Sequence, residues 1–558
     1  MKIKNPDRRG RAAVISVLLT GAATFQASAA TYYVDDIQGN DTNAGTATAA
    51  AWKTVGKVAH AALAAGDQVL FRRGGVWYEG LTVARNGTPS SPIVFGAYGT
   101  GTRPVISGAK NLNASAFRWT ASAGGTHEYR LELSGGGNPA LAEVKNVFLN
   151  STNLPRGGAL GTLANQRWNW GDGDSLGYTT VYFRCDSGNP TTLGLIEGSQ
   201  SNYAFMIEGY SNIRVENLEL RQGQGPWHGT VTVRESHNTV FSNCVIHESY
   251  QYPVWYSIHA TNAVIENCWV YGCRATSTYG SVISFEDSGG NTIRNCKIHD
   301  TTASLGDTVK IYNTDDTLIE GNEVWGPGAN GIYCRPTSDR NVIRYNFVHD
   351  MNGIGLQIRE NSDDNQAYCN IFLNNYGPVM QSDGLNGADP GITGTKFYNN
   401  TLVSTGGANS IHIFGTNKNC EVKNNLVIAG SGDALLVARD SVAGTVLANN
   451  NYRNTSGMMI SYNGTSYSAS QFASYVAASG DGSSHCTNPL FTAAAPTKAV
   501  DIQLQPGSPM INAGVLIPGL NRDYFGVTVP EGSAPDIGAA EYEADVPPRA
   551  PSRLRSTQ

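Results

Sequence analysis

One short pattern recurs between residues 212 and 451: an aliphatic residue, one or two spacers, asparagine and a second aliphatic run. Successive asparagines lie 24 to 30 residues apart, and they are Asn217, Asn243, Asn267, Asn295, Asn322, Asn346, a degenerate copy at Asn370, Asn400, Asn425 and Asn450. A period of this length is typical of a solenoid, in which each repeat buries its apolar face against its neighbours. The β-branched residues and the two-residue alternation predict short strands, so the chain is expected to form a parallel β-helix.

Asparagine suits the corners of such a solenoid for two reasons. Its backbone tolerates the left-handed conformation, and its amide can hydrogen-bond to the asparagine of the next repeat. We therefore predict that Asn243, Asn267 and Asn295 lie at equivalent, stacked corners. The cysteines that follow them should form a buried stack of small side chains rather than a metal site, because no CxxC pair or neighbouring histidine is present. These cysteines are Cys244, Cys268 and Cys296.

The rest of the chain predicts an exported protein with a cap at each end of the solenoid. The first residues are basic, an apolar run follows, and Ala27-Ser28-Ala29 resembles a cleavage site, as in a signal peptide. A short amphipathic helix is expected after Trp52, and tryptophans between the first and later repeats indicate an inserted lobe. We expect a signal over 1–30, an N-terminal cap with first coils over 31–112, a β-rich lobe over 113–200, repeats over 201–452, a C-terminal cap over 453–545 and a disordered tail over 546–558.

Charge and hydropathy limit the partners of the protein. The net charge is −6, and removal of the basic signal makes it more negative. An acidic protein is a poor candidate for nucleic-acid binding. No segment after the signal is long and apolar enough to span a bilayer, so a secreted or periplasmic monomer without a membrane partner is expected.

Both ends of the mature chain resemble a known superfamily. The segments TYYVDDIQGNDTNAGT and GDQVLFRRG near the start, and LQPGSPMINAG and PDIGAAEY near the end, are similar to those of secreted right-handed parallel β-helix proteins of the pectate-lyase-like superfamily. The resemblance covers nearly the whole mature chain and implies an all-β solenoid. It specifies the chemistry weakly, because this superfamily contains lyases, hydrolases and epimerases that act on polysaccharides.

One predicted sheet carries the candidate functional residues. Segments beginning at residues 231, 283, 309, 332, 356, 411 and 435 align as stacked strands, and alternation points every second side chain outward. The outward columns combine cations, a carboxylate and aromatic rings, although ordinary exposed charges are the alternative. They contain Thr232, Ser284, Lys310, Tyr333, Gln357 and His412, beside Arg234, Glu286, Tyr312, Arg335, Arg359 and Phe414.

This face suits β-elimination on an anionic, uronic-acid polysaccharide. The difficult step removes a weakly acidic proton next to the sugar carboxylate, and cations stabilise the charge that develops. In the lyases that the chain resembles, a Lys or Arg of this sheet is the base. By that resemblance Lys310 is the base, and Arg335 and Arg359 bind the carboxylate. The candidate substrate-binding residues are Arg234, Trp255, Tyr312, Tyr333, Gln357 and His412.

The same resemblance implies a Ca²⁺ ion, for which Glu286 and Asp287 are the candidate ligands and Asp307 a third. Glu286 and Asp287 are adjacent in the strand, so both reach one ion only if the strand bends between them. Three functions stay open, with the lyase favoured. The alternatives are a non-catalytic carbohydrate-binding protein and a glycoside hydrolase that uses two carboxylates out of Glu286, Asp287, Asp307, Glu360 and Asp383.

Overall fold

The computed structural model describes residues 29–133, 143–171, 180–225, 227–250, 252–274, 280–301, 306–375, 380–384, 391–404, 410–454 and 459–544. They form a parallel β-solenoid of about 13 turns, which we call coils. Most coils contribute one strand to each of three sheets, numbered 1, 2 and 3 in the order in which the chain meets them, and the last strand of sheet 3, Thr465–Ser468, pairs antiparallel. The predicted all-β solenoid is confirmed. The predicted signal peptide and tail lie almost wholly outside the described residues.

The strands of the three sheets are short, as the alternating sequence pattern predicts. Sheet 1 contains Thr31–Val34, Gln68–Arg72, Ile93–Tyr98, Ile213–Glu216, Thr239–Ser242, Val264–Glu266, Thr292–Arg294, Leu318–Glu320, Val342–Arg344, Gln366–Tyr368, Lys396–Tyr398, Glu421–Lys423 and Val446–Ala448. Sheet 2 contains Val76–Trp77, Val105–Ser107, Glu219–Gly223, Val245–Ser249, Trp269–Cys273, Lys297–Thr301, Glu323–Gly326, Phe347–Met351, Ile371–Leu373, Thr401–Val403, Leu426–Ala429 and Asn451–Asn454. Sheet 3 contains Leu81–Val83, Phe205–Glu208, Val231–Arg234, Trp255–Ile258, Ser281–Gly289, Asp307–Asp315, Asn330–Arg335, Ile354–Arg359, Met380–Gly384, Ile411–Gly415, Leu435–Val437, Met459–Tyr462 and Thr465–Ser468.

The core is a column of apolar side chains along the solenoid axis. In sheet 1, for example, Ile265, Ile293, Ile319 and Ile343 occupy one inward position on four successive coils, and all are fully buried. Burial of each such side chain contributes about 1.5–3 kcal/mol. Because a coil buries its apolar residues only against neighbouring coils, the stability of the fold comes from stacking.

The repeat asparagines occupy two different positions in the coil, so the expectation that they lie at the corners holds for only some of them. Asn217, Asn243, Asn267 and Asn295 have φ between 52° and 61° and lie at left-handed corners that follow sheet 1, as predicted for the last three. From Asn322 onward the repeat asparagine lies one residue later. The corner itself is then taken by Gly321, Tyr345, Cys369, Asn399, Asn424 and Asn449, which have positive φ.

The later asparagines form a buried ladder on the inside of the solenoid. The backbone N–H of Asn322 donates to Oδ1 of Asn346 at 3.0 Å, and that of Asn346 donates to Oδ1 of Asn370 at 3.0 Å. The same position in earlier coils holds the predicted cysteine stack, in which the backbone N–H of Cys244 donates to Sγ of Cys268 at 3.4 Å. The left-handed backbone conformation thus belongs to the corner residue, and the stacked amide side chains belong to the residue that follows it.

The inserted lobe is antiparallel and has a core of its own. One sheet contains Ala109–Asn111, Val147–Leu149, Thr152–Asn153 and Ile196–Ser199, and the other contains Thr120–Ala121, Glu128–Glu132, Trp168–Gly171 and Thr180–Arg184. Trp119, Trp168, Trp170 and Tyr182 are buried in it, so their rings are not available as a surface for a sugar. Arg221 of sheet 2 holds the lobe through an ion pair of 2.7 Å with Glu197.

Helices are few. A helix of five residues, Val55–Ala59, lies where an N-terminal capping helix is predicted, and its capping role stays a prediction. A second helix, Phe472–Ser479, lies near the C-terminus, and short 3₁₀ turns cover Thr48–Ala50, Pro190–Thr192, Arg439–Ser441, Ala469–Gln471 and Ala499–Ile502. Residues 491–542, the C-terminal segment, pack on the outer face of the last strands of sheet 2. None of the helices in the described ranges is long and apolar enough to cross a bilayer.

Candidate active site on sheet 3

The strand alignment predicted for sheet 3 is confirmed, and two strands are added to it. One continuous register joins Val231, Trp255, Ile283, Val309, Ile332, Leu356, Met380, Ile411 and Leu435. The added strands are Trp255–Ile258 and Met380–Gly384. They bring Tyr256, Gln381 and Asp383 into the outward columns. Sequence reasoning did not include Tyr256 because its strand lacks the alternating aliphatic pattern of the others.

Lys310 and Glu286 form an ion pair in the middle of this face, with Nζ 2.8 Å from Oε1. Ser284 Oγ donates to the same carboxylate oxygen at 2.9 Å, and the Tyr256 hydroxyl donates to Oε2 at 3.2 Å. Burial and the charge of Glu286 raise the pKa of Tyr256, so its hydroxyl keeps the proton that it donates. Lys310 and Tyr256 on the two neighbouring strands and Ser284 on the same strand therefore hold the Glu286 carboxylate in one orientation.

Asp307 is a second carboxyl group beside this pair, and its environment is different. Its residue is only 6% exposed, and Oδ1 accepts a hydrogen bond of 2.7 Å from Asn330. Burial raises the pKa of Asp307 from 3.8 to about 6, against the opposing effects of that hydrogen bond and of the positive charges of Lys310 and Arg335. A carboxyl group of this kind carries a proton at mildly acidic pH.

Both carboxyl groups line a cleft of about 450 Å³. Its wall is largely aromatic and consists of Trp227, Tyr252, Tyr256, Tyr312 and Tyr333, with Lys310, Arg335 and Pro253 completing the lining. Trp227 is 60% exposed, and its ring centroid lies 5.3 Å from that of Tyr252. A concave site with many rings and a few convergent polar groups is the usual form of a small-ligand site.

Arg335 lines this cleft, Arg359 lies one coil beyond it, and each arginine faces a carboxylate. Arg335 Nε is 3.1 Å from Glu360 Oε2, and Arg359 Nε is 3.3 Å from Asp383 Oδ2. Both guanidinium groups also reach the Tyr333 hydroxyl, at 2.9 Å from Arg335 and 3.5 Å from Arg359. The structure thus brings Arg335, Arg359 and Tyr333 together, and much of their positive charge is compensated within the protein.

The other predicted substrate-binding residues are spread along the face. Tyr312 lies beside Lys310, whose Nζ is 5.2 Å from the ring centroid. Arg234 pairs with Glu208 at 3.1 Å, and Gln357 is nearly buried beside Tyr333 in the same column. His412 lies four coils beyond Lys310, which is about 19 Å along the axis. Burial lowers the pKa of His412 to about 4, so its ring is neutral at ordinary pH.

The prediction that Trp255 contacts substrate is wrong. Its side chain points inward, has no exposed surface and packs edge to face on Phe241 with centroids 4.5 Å apart. Trp255 occupies the inward position that Ile283 and Val309 hold in the next two coils. The large apolar ring is therefore part of the core, and its neighbour Tyr256 faces the cleft instead.

The three predicted calcium ligands do not fit a joint ion site. Glu286 forms an ion pair with Lys310, and Asp307 accepts a hydrogen bond from Asn330. Asp287 lies at a corner with a φ of 47°, where it accepts a hydrogen bond of 2.5 Å from Asn313. Within the residues that the structure describes, no group of three or more His, Cys, Asp or Glu side chains is arranged to hold a metal ion. A requirement for Ca²⁺ stays a prediction.

Comparisons with known proteins agree on the fold and differ in chemistry. Residues 187–399, less than half of the chain, match the family described as periplasmic copper-binding protein (NosD). A curated relative, lacto-N-biosidase of Bifidobacterium longum subsp. longum, is 24% identical over 352 residues. This match covers 58% of the chain and 20% of the relative, so the chain spans only about a fifth of that protein.

Two solved structures illustrate the likeness in fold. A complex of XylC with xylose has a TM-score of 0.48 and 13% identity, and the match covers 77% of this chain and 76% of that chain. Pectate lyase Pel9A has a TM-score of 0.42 and 15% identity, over 92% and 96% of the two chains. At such scores and identities neither likeness assigns a chemistry to this chain. The parallel β-helix that the resemblance implied is confirmed by the strand pairing of the structure itself.

Proposed function

We propose that the protein is an extracytoplasmic enzyme that hydrolyses glycosidic bonds, with Asp307 as the proton donor and Glu286 as the second catalytic carboxylate. One observation carries this proposal: two carboxyl groups line the same cleft in opposite environments. Asp307 is buried and has a pKa of about 6, whereas Glu286 is paired with Lys310 at 2.8 Å. Glycoside hydrolases use a pair of carboxyl groups whose surroundings separate their roles in this way.

The roles follow from the contacts of each group. Asp307, protonated below about pH 6, would donate its proton to the oxygen of the leaving sugar. Glu286, held by Lys310, Tyr256 and Ser284, would act on the anomeric carbon either directly or through a water molecule. The anomeric configuration of the first product, measured by NMR, distinguishes these two courses.

The lining of the cleft and the comparisons support a sugar substrate. Rings of Trp227, Tyr252 and Tyr256 form a wall beside the two carboxyl groups, and apolar ring surfaces suit a sugar that also needs a few polar partners. The similarity to a lacto-N-biosidase favours a glycosidase, within the 20% of that relative that is matched. The export-signal pattern at residues 1–30 and the periplasmic description of the matched family support a location outside the cytoplasm.

The test is a hydrolysis assay on a panel of neutral and uronate-containing oligosaccharides, read by new reducing ends and by the ultraviolet absorbance of unsaturated sugars. We expect reducing ends without that absorbance. Asp307→Asn and Glu286→Gln should each lower kcat at least ~100-fold. Asp433→Asn is the control, because Asp433 is a half-buried aspartate whose pKa is, like that of Asp307, raised by burial, but it lies outside the cleft. Wild-type rates in both cleft variants would refute the assignment.

A polysaccharide lyase is the second candidate, and one observation favours it. Arg335 and Arg359 lie on consecutive coils and share the Tyr333 hydroxyl, an arrangement that suits a uronate carboxylate. For a lyase with Lys310 as the base, the product would absorb in the ultraviolet and Lys310→Ala would lower kcat at least ~100-fold. Arg335→Ala would raise KM as well as lower the rate. Loss of this activity after chelation would support the predicted Ca²⁺.

A further inference from the structure

A second surface, on the outer face of sheet 2, carries a continuous stack of rings. His247, Tyr271, His299, Trp325 and His349 occupy the same outward position on five consecutive strands, and we call them the ring stack. Successive centroids are 4.8, 5.1, 4.1 and 5.7 Å apart, with interplanar angles of 12°, 2°, 16° and 11°. Parallel strands about 4.8 Å apart place equivalent rings in this geometry.

Trp269 lies beside the ring stack in the neighbouring outward column. Its indole N–H donates to Nε2 of His299 at 2.5 Å, and its ring centroid is 5.1 Å from that of Tyr271. Although these contacts hold the indole in place, 45% of the residue is exposed to solvent. A large apolar ring that is held rigidly on the surface loses little conformational entropy when it binds a ligand.

Acidic side chains surround the ring stack. Asp300 is 3.0 Å from Nδ1 of His299, and Asp350 is 2.7 Å from Nδ1 of His349. Glu219 and Glu323 lie 3.3 Å from His247 and 3.5 Å from His349. Lys297, the register partner of Trp269 on the next strand, is a cation on this surface, and the four carboxylates outnumber it. Carboxylates accept hydrogen bonds from hydroxyl groups and repel other anions, so this surface suits a neutral, hydroxyl-rich ligand rather than a polyanion.

Both ends of this surface are covered by other parts of the chain. At the start, Arg221 in the same column contacts Glu197 of the inserted lobe. At the end, Phe347 and Ile371 pack against Tyr524 of the C-terminal segment. Between these covers the ring stack extends over five strands, about 19 Å along the solenoid axis. His247 and His299 are buried, so the accessible part consists of Trp269 with the partly exposed Tyr271, Trp325 and His349. These residues span four strands, about 14 Å, which is the length of a short oligosaccharide.

We propose that the ring stack and Trp269 form a non-catalytic binding surface for a neutral glycan, separate from the cleft on sheet 3. Its rings supply apolar contact area, and its carboxylates supply acceptors for sugar hydroxyl groups. The two carboxyl groups of the cleft lie on sheet 3 and the ring stack lies on sheet 2, so a glycan held here leaves those carboxyl groups accessible. Such a surface anchors the protein on a polymer, and the proposal does not depend on which bond the cleft breaks.

The test is native affinity electrophoresis through gels that contain arabinoxylan, mixed-linkage β-glucan or galactan, with polygalacturonate as the anionic comparison. Glu286→Gln serves as the background so that the glycan is not consumed. We expect retardation by at least one neutral polymer, and a loss of affinity of about tenfold or more in Trp269→Ala, since an exposed aromatic anchor typically contributes that much. Trp269→Phe should retain most of the affinity, and Trp227→Ala, in the cleft, should retain retardation.

Leu516→Ala is the matched control, because Leu516 is a large apolar residue that is 65% exposed and lies outside both surfaces. Near-ultraviolet circular dichroism of each variant checks that the fold is retained. The proposal is overturned if no neutral polymer retards the protein, if Trp269→Ala migrates like its parent, or if Leu516→Ala loses affinity equally. Preferential binding of polygalacturonate at low salt would also overturn it.

Discussion

Asn370 is the central member of the buried asparagine ladder, and Asn370→Ala tests what the ladder contributes. The side chain has no exposed surface and takes part in four hydrogen bonds. Oδ1 accepts from the backbone N–H and from Nδ2 of Asn346, both at 3.0 Å. Nδ2 donates to Oδ1 of Asn400 at 3.0 Å and to the carbonyl oxygen of Ile343 at 2.9 Å.

The substitution leaves the backbone N–H of Asn346 without this acceptor inside the solenoid. Nδ2 of Asn346 keeps a second acceptor, the carbonyl oxygen of Ile319, so one donor is orphaned. A buried unpaired donor costs about 1–3 kcal/mol, and the lost side-chain volume adds a smaller term. We expect Asn370→Ala to lower the free energy of unfolding by about 3 kcal/mol. Asn370→Cys should cost less, because a thiol fills the equivalent position at Cys268 and accepts a weak hydrogen bond from the backbone N–H of Cys244.

Urea denaturation followed by tryptophan fluorescence measures this loss, and amide hydrogen exchange reports whether it is confined to neighbouring coils. Asn267→Gly is the control, because Asn267 lies at an exposed corner with a φ of 54° that glycine adopts readily. It should change stability by less than about 1 kcal/mol. If Asn370→Ala is no less stable than Asn267→Gly, the ladder hydrogen bonds do not stabilise the solenoid as argued.

Three further predictions concern ionisable groups. If Asp307 is the proton donor, kcat should fall as the pH rises through about 6, because the required proton is lost there; a rate that rises over this range would contradict that role. The pKa of Asp307 in the folded protein, about 6, lies above the ordinary value of 3.8, so the protonated carboxyl group stabilises the fold relative to the ionised one. The free energy of unfolding should therefore decline between pH 4 and 6 in the wild type and not in Asp307→Asn. Glu197→Gln should loosen the inserted lobe by about 1.5–3 kcal/mol, because a buried hydrogen bond between charged groups is lost and Arg221 keeps only Glu219, at 3.1 Å, as an ion-pair partner. Faster proteolysis within the lobe would show this, and unchanged cleavage would argue against Arg221 as the anchor.

The sequence by itself determined the solenoid and the register of its functional face. Short alternating strands with a period near 25 residues bury their apolar side chains only by stacking, so the aligned segments predicted which side chains face outward. Lys310, Tyr333 and Gln357 lie in one outward column as expected, and Glu286 and Tyr312 lie in the next. The inward cysteines were also predictable, because they follow the corner asparagines directly.

Only the tertiary structure decided which of these residues act on one another. Alternation states whether a side chain faces outward, but partners across coils depend on long, irregular connections that carry no period. Thus Glu286 meets Lys310, Asp307 is buried beside Asn330, and the repeat asparagine shifts by one residue between Asn295 and Asn322. The environment of a carboxyl group comes from neighbours distant in sequence, so the contrast between Asp307 and Glu286 exists only once the coils are stacked.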